Sequence, residues 1–503
     1  MDVLALFAHG LAVAAQPMNL LAALAGCVIG TLIGVLPGVG PVAGVAILLP
    51  VTYGMSPTGA LIMLCAIYYG TMYGGTITSV LMNVPGETAS VVTCIDGHQM
   101  ARQGRAGAAL AIAAIGSTIG GLVATVAVAL VAAPLSRFSL LFGPPEFFAL
   151  VLVSFTLLIG LAGDSMAKGV IAALFGLALT LPGLDPLTGI GRLTFDSPSM
   201  LNGFGFVPVL MGLFGISEIL INVEQRQRGA TTSPVHSLWL TRSDWKASGW
   251  PMARGSVLGF LIGVVPGLGA ATSSFLSYAI EKRVAKDPSR FGQGAIEGVA
   301  GPETANNASA NAALLPLLTL GIPGSATVAI IMAAFLIHGI TPGPFLFKDH
   351  PDVAWSLIAS MVVASVILLV LNLPLVGLWV RILRLPYPIL FSVIMVFTVI
   401  GTYSVNGSLF DVAVMFVFSA IGYLLRKFGF PMAPIALTLV LGPQLETSLG
   451  QSLVMSEGNF RVFFRSPIST TLILIALATT AYFVLKPFAA KGLQGLRGQD
   501  AEV

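Results

Sequence analysis

Charge is what this chain has least of. Lys and Arg number 24 and Asp and Glu 21 among 503 residues, 9% in all, against roughly 25% for an ordinary soluble domain. Side chains of the AVILMFWYC set make up 56%. A water-solvated globule of this length needs far more polar surface, so lipid must be the solvent for most of the molecule. The net charge of +3 is too small and too dispersed to attract nucleic acid. Cysteine is almost absent: Cys27, Cys65 and Cys94 stand far apart in or beside apolar segments, which reads as buried small residues and excludes a disulfide framework or a thiolate metal site. The five histidines are scattered without ligand spacing. No P-loop, HExxH motif or paired nucleophile and base is present, so neither direct use of ATP nor enzyme chemistry is indicated. GVG (38–40) and GLG (267–269) follow no strand and lack a correctly placed third glycine, so they are not dinucleotide sites. The first 17 residues contain no Lys or Arg, unlike a secretory signal; they are expected at the membrane interface or as a short packed helix.

What is present in excess is Gly, at 57 residues, and Pro, at 31, many inside the apolar segments. Broken backbone at membrane depth is tolerated only where protein or a water-filled cavity surrounds it. The expected fold is an all-α polytopic membrane protein with about 10–13 spans of roughly 20 residues each, plus re-entrant or discontinuous helices. Residues 1–18 form an N-terminal interfacial segment and 19–222 a first membrane repeat. Residues 223–253 form a polar cytoplasmic connector, 254–486 a second repeat with a C-terminal helix, and 487–503 a polar tail.

The two repeats are read from three collinear echoes. LIGVLPGVGP (32–41) returns as LIGVVPGLGA (261–270), VPGET (84–88) as IPGSA (322–326), and PEFF (145–148) as PILF (388–391), at offsets of 229, 238 and 243. Arg102 and Arg105 mark a basic loop whose counterpart, 339–343, is uncharged, whereas the basic run 281–290 answers an uncharged 53–61. Short basic loops favour the cytoplasm, so matching loops fall on opposite sides, the pattern of inverted-topology repeats; Arg137 against Arg381 runs counter to it. Residues 254–280 have basic flanks at both ends. A re-entrant hairpin turning at Pro266-Gly267 and a Pro-kinked full span both remain open.

Polar patches inside the apolar segments carry the chemistry. The densest runs from Gly301 to Asn311 and on to Ser325. Glu303, Thr304, Asn306 and Asn307 could coordinate Na⁺, at Thr304, Asn306 and Asn307, or handle protons. The competing role is hydrogen bonding between helices, and the coincidence with broken helices favours function. Glu87 beside its Pro-Gly is either a proton or cation site or a helix N-terminal charge. The Pro-Gly breaks let helices restart with free N–H groups and a positive dipole end, which suits an anion. They nominate Pro37, Gly38 and Gly40; Pro85, Gly86, Thr88 and Ser90; Pro266, Gly267, Gly269, Thr272, Ser273 and Ser274; and Pro323, Gly324, Ser325 and Thr327 as substrate-binding residues. Thr76, in the 68–79 patch, is a further nominee, though that patch could equally serve close helix packing. A channel or a membrane-embedded enzyme is the alternative class.

The PGVGP run at 37–41, YYGTMYGG (68–75), NVPGE (83–87), FGQGAIEGVAGPETANNA (291–308) and LGIPGSAT (320–327) resemble the large membrane subunit of tripartite tricarboxylate transporters, the TctA type, over about residues 20–440. The resemblance implies a multi-pass secondary transporter of the bacterial inner membrane, without cofactor. It would take up organic carboxylates such as citrate, driven by Na⁺ or H⁺. Its implied partners are a small membrane subunit and a periplasmic solute-binding protein, and it leaves room for a homo-oligomer.

Overall fold

The computed structural model describes residues 3–36, 39–161, 165–224, 235, 237–382 and 387–499. They are almost wholly helical, and the chain divides into two compact units, residues 1–139 with 205–424 and residues 140–204 with 425–503.

In the larger unit the chain runs through α1 (Val3–Ala14), α2 (Pro17–Val35), α3 (Gly40–Leu48), a 3₁₀ turn (Leu49–Gly54) and α4 (Pro57–Met82). A second 3₁₀ turn (Thr88–Ser90) then leads into α5 (Val91–Arg102) and α6 (Ala106–Ser139). The smaller unit takes α7 (Pro144–Leu161), α8 (Met166–Ala178) and a short antiparallel pair, β1 (Gly183–Leu184) with β2 (Gly191–Arg192). Back in the larger unit, α9 (Phe206–Leu210) continues through a π-helical turn into α10 (Ser217–Glu224). There follow α11 (Arg242–Val264), α12 (Gly269–Val284), α13 (Glu297–Ala312), α14 (Leu314–Leu320), α15 (Ala326–Ile337), α16 (Leu346–Asp349), α17 (Pro351–Asn372), α18 (Val376–Ile382), α19 (Tyr387–Asn406) and α20 (Leu409–Lys427). The chain ends with α21 (Met432–Met455) and α22 (Pro467–Gln499). Among the described residues five helices, α2, α4, α6, α17 and α20, are long and apolar enough to cross a membrane, beside further shorter apolar helices. The protein is an all-α polytopic membrane protein whose broken segments yield half-length pieces.

Local signals set the helix ends. Ser56 caps α4, its Oγ accepting from Gly59 N at 3.2 Å, with Pro57 at the first helical position. Thr241 and Asp244 form a reciprocal capping box on α11. That helix starts at Arg242, within the stretch read from sequence as connector.

The two halves repeat residue by residue. Leu36 ends α2 at φ −85°, ψ 111°, and Val265 ends α11 at φ −84°, ψ 114°. The left-handed Asn83 (φ 56°) after α4 matches Gly321 (φ 72°) after α14. Glu87 and Ser325, the two N-cap residues that follow, have φ, ψ of −152°, 169° and −153°, 168°. Packing repeats as well. Gly26, Gly30 and Gly34 of α2 lie against the carbonyls of Met63, Ile67 and Thr71 on α4. Their counterparts Gly255, Gly259 and Gly263 of α11 lie against those of Gly301, Ala305 and Ser309 on α13. A methyl on Gly30 would stand 2.8 Å from Ile67 Cα, and one on Gly259 2.8 Å from Ala308 Cβ. Only glycine permits this approach, the small-residue packing that drives helix association where no hydrophobic force separates protein from lipid.

The halves also exchange partners. Helix α6 packs on α13 while its counterpart α17 packs on α4; α12 packs on the 88–90 turn while its counterpart α3 packs on α15. Reciprocal contact of this kind is what a two-fold relation produces. The question of hairpin or kink at Pro266 is answered by Arg254 and Glu281. Arg254 Nε and Nη2 donate to the Glu281 carboxylate at 2.8 and 2.5 Å. These residues are 27 positions apart, about 40 Å along a straight helix, so α11 and α12 fold back on one another. Gly44 of α3 likewise meets Ile33 of α2. Helix α1 packs on α17, where Gly10 abuts the Trp355 backbone.

In the smaller unit α21 packs on α7 and α8, and α22 packs on α7. The Phe148 and Phe463 rings are 4.7 Å apart. Arg192 bonds Glu446 and lies 3.3 Å from Asp185.

Candidate functional site

The helix breaks gather in one place in the larger unit. Gly267 N donates to Gly324 O at 3.0 Å, joining the tip of the α11–α12 hairpin to the break before α15. In the first half Gly86 sits against Gly34 O and Gly75 Cα. The contacts of α12 with the 88–90 turn and of α3 with α15 bring these two pairs together. Of the residues nominated at the breaks, Pro37 and Gly38 lie outside the described residues. Gly40 and Gly269 open α3 and α12 at φ 56° and 66°, the left-handed region that glycine alone enters without strain.

Polar groups at this junction divide into committed and unpartnered ones. Glu87 caps the 88–90 turn: Oε2 accepts from Ala89 N at 3.0 Å, and Glu87 N donates to Ser90 Oγ at 3.3 Å. Its other oxygen, Oε1, is buried with no hydrogen-bond partner. At the equivalent position Ser325 Oγ accepts from Val328 N at 3.3 Å. The amides of Ala326 and Thr327 then have no partner among the described residues. Ser273 Oγ is spent on the carbonyls of Ala270 and Ala305 at 2.7 and 3.2 Å. Ser274 Oγ is fully buried and unpartnered. Thr88 and Thr272 are exposed, Pro85 and Pro266 half-buried, and Gly86, Pro323, Gly324 and Thr327 buried.

The residues nominated for cation or proton coupling do not form one group. Glu303, fully buried on α13, accepts from Thr76 Oγ at 2.8 Å, from Thr93 Oγ, and from Asn306 Nδ2 at 3.3 Å. Its backbone carbonyl accepts from Ser117 Oγ at 3.3 Å and from Asn307 Nδ2 at 3.1 Å. Asn307 Nδ2 also reaches Ser117 Oγ at 2.7 Å. This network ties α13 to α4, α5 and α6. A cavity of about 10 Å³ beside it, lined by Tyr73, Thr76, Ser117 and Asn372 among others, is at the lower limit of what one water needs. Thr304 turns elsewhere: its hydroxyl donates to Ala300 O at 2.7 Å, and a methyl on Gly116 of α6 would stand 2.6 Å from it. A methyl on Gly75 of α4 would stand 2.9 Å from Glu87 Cγ, and the next residue, Thr76, bonds Glu303, so the open carboxylate and the saturated one flank adjacent positions of α4. Among the described residues no cluster of three His, Cys, Asp or Glu could hold a metal ion.

Several polar side chains in this region carry no motif of their own. Thr93 and Ser117 are isolated hydroxyls in helices, 210 and 186 positions from Glu303. Asp96 is the other: Oδ1 accepts from the amides of Gly292, Gly294 and Ala295 at 2.8–2.9 Å, and Oδ2 from the Tyr278 hydroxyl at 2.9 Å. Gly292 and Gly294 have φ of 89° and 100°, so the FGQG run is a backbone nest for an anion, filled by Asp96 from the other half. The Gly-x-Gly spacing was its signal.

These same runs, YYGTMYGG, NVPGE, FGQG through ETANNA and LGIPGSAT, build the junction and its supports, and the comparisons with known proteins extend across them. The sequence profile described as the tripartite tricarboxylate transporter TctA family matches residues 20–437. An "uncharacterized 52.8 kDa protein in TAR-I ttuC' 3'region" of Agrobacterium vitis is 45% identical over 492 residues, 98% of each chain. An "uncharacterized protein in TAR-II ttuC' 3'region" of the same organism is 46% identical over 233 residues, 46% of this chain and 96% of its own. No solved structure matches the chain significantly. A match spanning both repeats and every break at their junction leaves one assignment: the chain belongs to the TctA family of tripartite tricarboxylate transporters.

Proposed function

We propose that this transporter subunit performs cation-coupled uptake of an organic carboxylate, of the tricarboxylate class that includes citrate, across the bacterial inner membrane. In this reading a periplasmic solute-binding protein delivers the substrate and a small membrane subunit completes the assembly. The observation that carries the proposal is the junction itself: four helix breaks, unpartnered amides and an open carboxylate oxygen, gathered inside an apolar body. Such groups are expensive in a membrane unless a ligand completes them.

The hydrogen-bond partners at the junction support the following roles. The N-terminus of α15, with the Ala326 and Thr327 amides and the Ser325 hydroxyl, receives a substrate carboxylate. The N-terminus of the first-half counterpart is already occupied by Glu87's own carboxylate. Glu87 Oε1 carries the coupling ion, H⁺ or Na⁺, with Ser274, Thr88 and Thr272 lining the approach. The Glu303–Asn306–Asn307 network holds the helices that frame this site. With the charge pattern of the loops, the reciprocal halves are inverted-topology repeats that move against one another to alternate access.

Reconstitution into proteoliposomes with imposed Na⁺ or pH gradients, the binding protein supplied outside, tests the reading. Saturable accumulation of labelled citrate or another carboxylate that collapses with the gradient is expected. Conductive, non-accumulating flux would identify a channel and overturn the proposal.

A further inference from the structure

The α11–α12 hairpin carries a feature that transport does not use. Between the two helices, on their outward side, runs a groove of about 430 Å³. Val257, Leu258, Leu261 and Ile280 give it apolar walls, Trp250 stands at one end, and Arg254 with Glu281 closes that same end. Trp250, Val257 and Leu261 are 72%, 59% and 59% exposed. One polar atom breaks the apolar lining: Ser277 Oγ, buried and without a partner.

Because the hairpin is antiparallel, the first half of α11 lies towards the end of α12. Since Arg254 is level with Glu281, Lys282, Arg283 and Lys286 stand beside the middle of α11, Arg242 and Lys246 lie on the part of α11 that runs on past them, and all five are exposed. The carboxylates at this end are engaged elsewhere. Asp244 bonds Arg105 at 2.5 Å, Glu281 bonds Arg254, and Asp287 accepts from Ser289. Among the described residues no carboxylate pairs with any of the five. Trp245 and Trp250, 46% and 72% exposed, accompany them. Exposed tryptophans with unpaired basic side chains mark the headgroup level of a membrane. Basic pockets between membrane helices select anionic headgroups.

We propose that this groove binds one anionic phospholipid. Its phosphate sits among Lys282, Arg283 and the free Nη1 face of Arg254, and one acyl chain lies along Val257, Leu258 and Leu261 towards the hairpin tip. The lipid thereby completes the outer face of the hairpin whose tip reaches the transport junction.

The test is tryptophan quenching in the full-length chain, reconstituted in phosphatidylcholine nanodiscs with graded dibrominated phosphatidylglycerol or dibrominated phosphatidylcholine. The Trp250 contribution is obtained by difference against Trp250→Phe. Expected is saturable quenching of Trp250 at several-fold lower mole fraction of the phosphatidylglycerol. Lys282→Gln with Arg283→Gln should reduce that preference by roughly fivefold per charge removed. Leu261→Trp, which adds a bulky ring to the acyl-chain path from an exposed position, should weaken the saturable component while leaving the unfolding temperature in place. Equal quenching by both lipids, or a preference that survives Lys282→Gln with Arg283→Gln, overturns the proposal. So does protection of Trp250 from both lipids by a co-purifying helix of the small subunit, which would make the groove a protein interface.

Discussion

Glu87→Gln separates coupling from binding, because the substitution changes one property only. The amide oxygen can still accept from Ala89 N, and the backbone amide can still donate to Ser90 Oγ, so the cap survives. What changes is the atom with no partner, Oε1, which becomes an NH₂ and can neither bind a proton nor face a cation as a full charge. A unit charge about 4 Å from a cation contributes about 4 kcal/mol at an effective dielectric near 20, roughly a thousandfold in affinity. An amide dipole keeps part of this, so a loss of about a hundredfold in apparent cation affinity is the minimum for Na⁺. For H⁺ the loss is complete. The assay compares two modes in the same proteoliposomes. Gradient-driven accumulation should disappear, while counterflow exchange of substrate, which needs no net cation movement, should persist. If Glu87→Gln still concentrates substrate with wild-type cation dependence, Glu87 is a helix cap and nothing more, and the coupling ion must bind elsewhere.

Three further outcomes follow. Glu303→Ala leaves the Thr93 hydroxyl and the Asn306 amide without an acceptor at full burial, and Thr76 with only the Met72 carbonyl at 3.3 Å, about 1–3 kcal/mol for each group left unpaired. The yield of folded protein should fall sharply, and a double-mutant cycle with Thr93→Val should show coupling of at least 0.5 kcal/mol; additivity would deny the network. Gly30→Ala and Gly259→Ala should each lower the thermal unfolding midpoint by the same amount, for overpacking of about 1–3 kcal/mol. Gly249→Ala, with open space around it on the same helix as Gly259, should be neutral or stabilising; unequal effects of the first two would break the equivalence of the halves. At Asp244, burial alone would raise the carboxyl pKa, but the Thr241 amide and hydroxyl and the Arg105 guanidinium outweigh it and hold it below the ordinary range. A depressed pKa in the folded state gives stability that is present above the unfolded value of about 3.9 and lost as pH falls through the folded one. Acid sensitivity below pH 4, monitored by light scattering on thermal ramps, should therefore shrink in Asp244→Asn.

The frame of this molecule was legible in its sequence because local rules write it. Pro-Gly breaks, Ser and Thr caps and small residues every four positions along α2 and α11 act over one or two turns, and the echoes at offsets 229 and 238 preserve them in register. The hairpin at Pro266 was open on sequence because loop charges alone do not distinguish two helices side by side from one bent helix; the Arg254–Glu281 pair does. The interior of the candidate site was less legible. Glu303, Asn306 and Asn307 stand in one dense run and their partner Thr76 in the 68–79 patch, but Thr93 and Ser117 are single hydroxyls in the other half, with no local spacing to reveal them. A patch that composition suggests as a ligand site thus includes a saturated tie between helices, while the open carboxylate directly follows the other Pro-Gly.

That division follows from how a duplicated frame acquires one-sided chemistry. Glu87 and Ser325 hold the same backbone angles to within 1°, and each caps the helix after its break. Two identical Ser caps would offer two anion sites facing each other and no site for a cation. Two Glu caps would fill both helix ends with the protein's own carboxylates and repel the substrate. With one of each, the proposed assignment follows: an external anion would meet free amides at Ala326 and Thr327, and a cation Glu87 Oε1 across the same junction. Exchanging the caps, Glu87→Ser with Ser325→Glu, keeps the total charge and both cap geometries but moves the carboxylate to the other half. If the halves are equivalent in packing alone, the exchanged chain should insert and unfold like the parent. If α15 is the anion end, its apparent substrate affinity should drop at least tenfold, since a carboxylate would then occupy the place of the substrate's. Retention of parental affinity would mean that substrate is held by the α12 hydroxyls instead, and that Ser325 serves only as a cap.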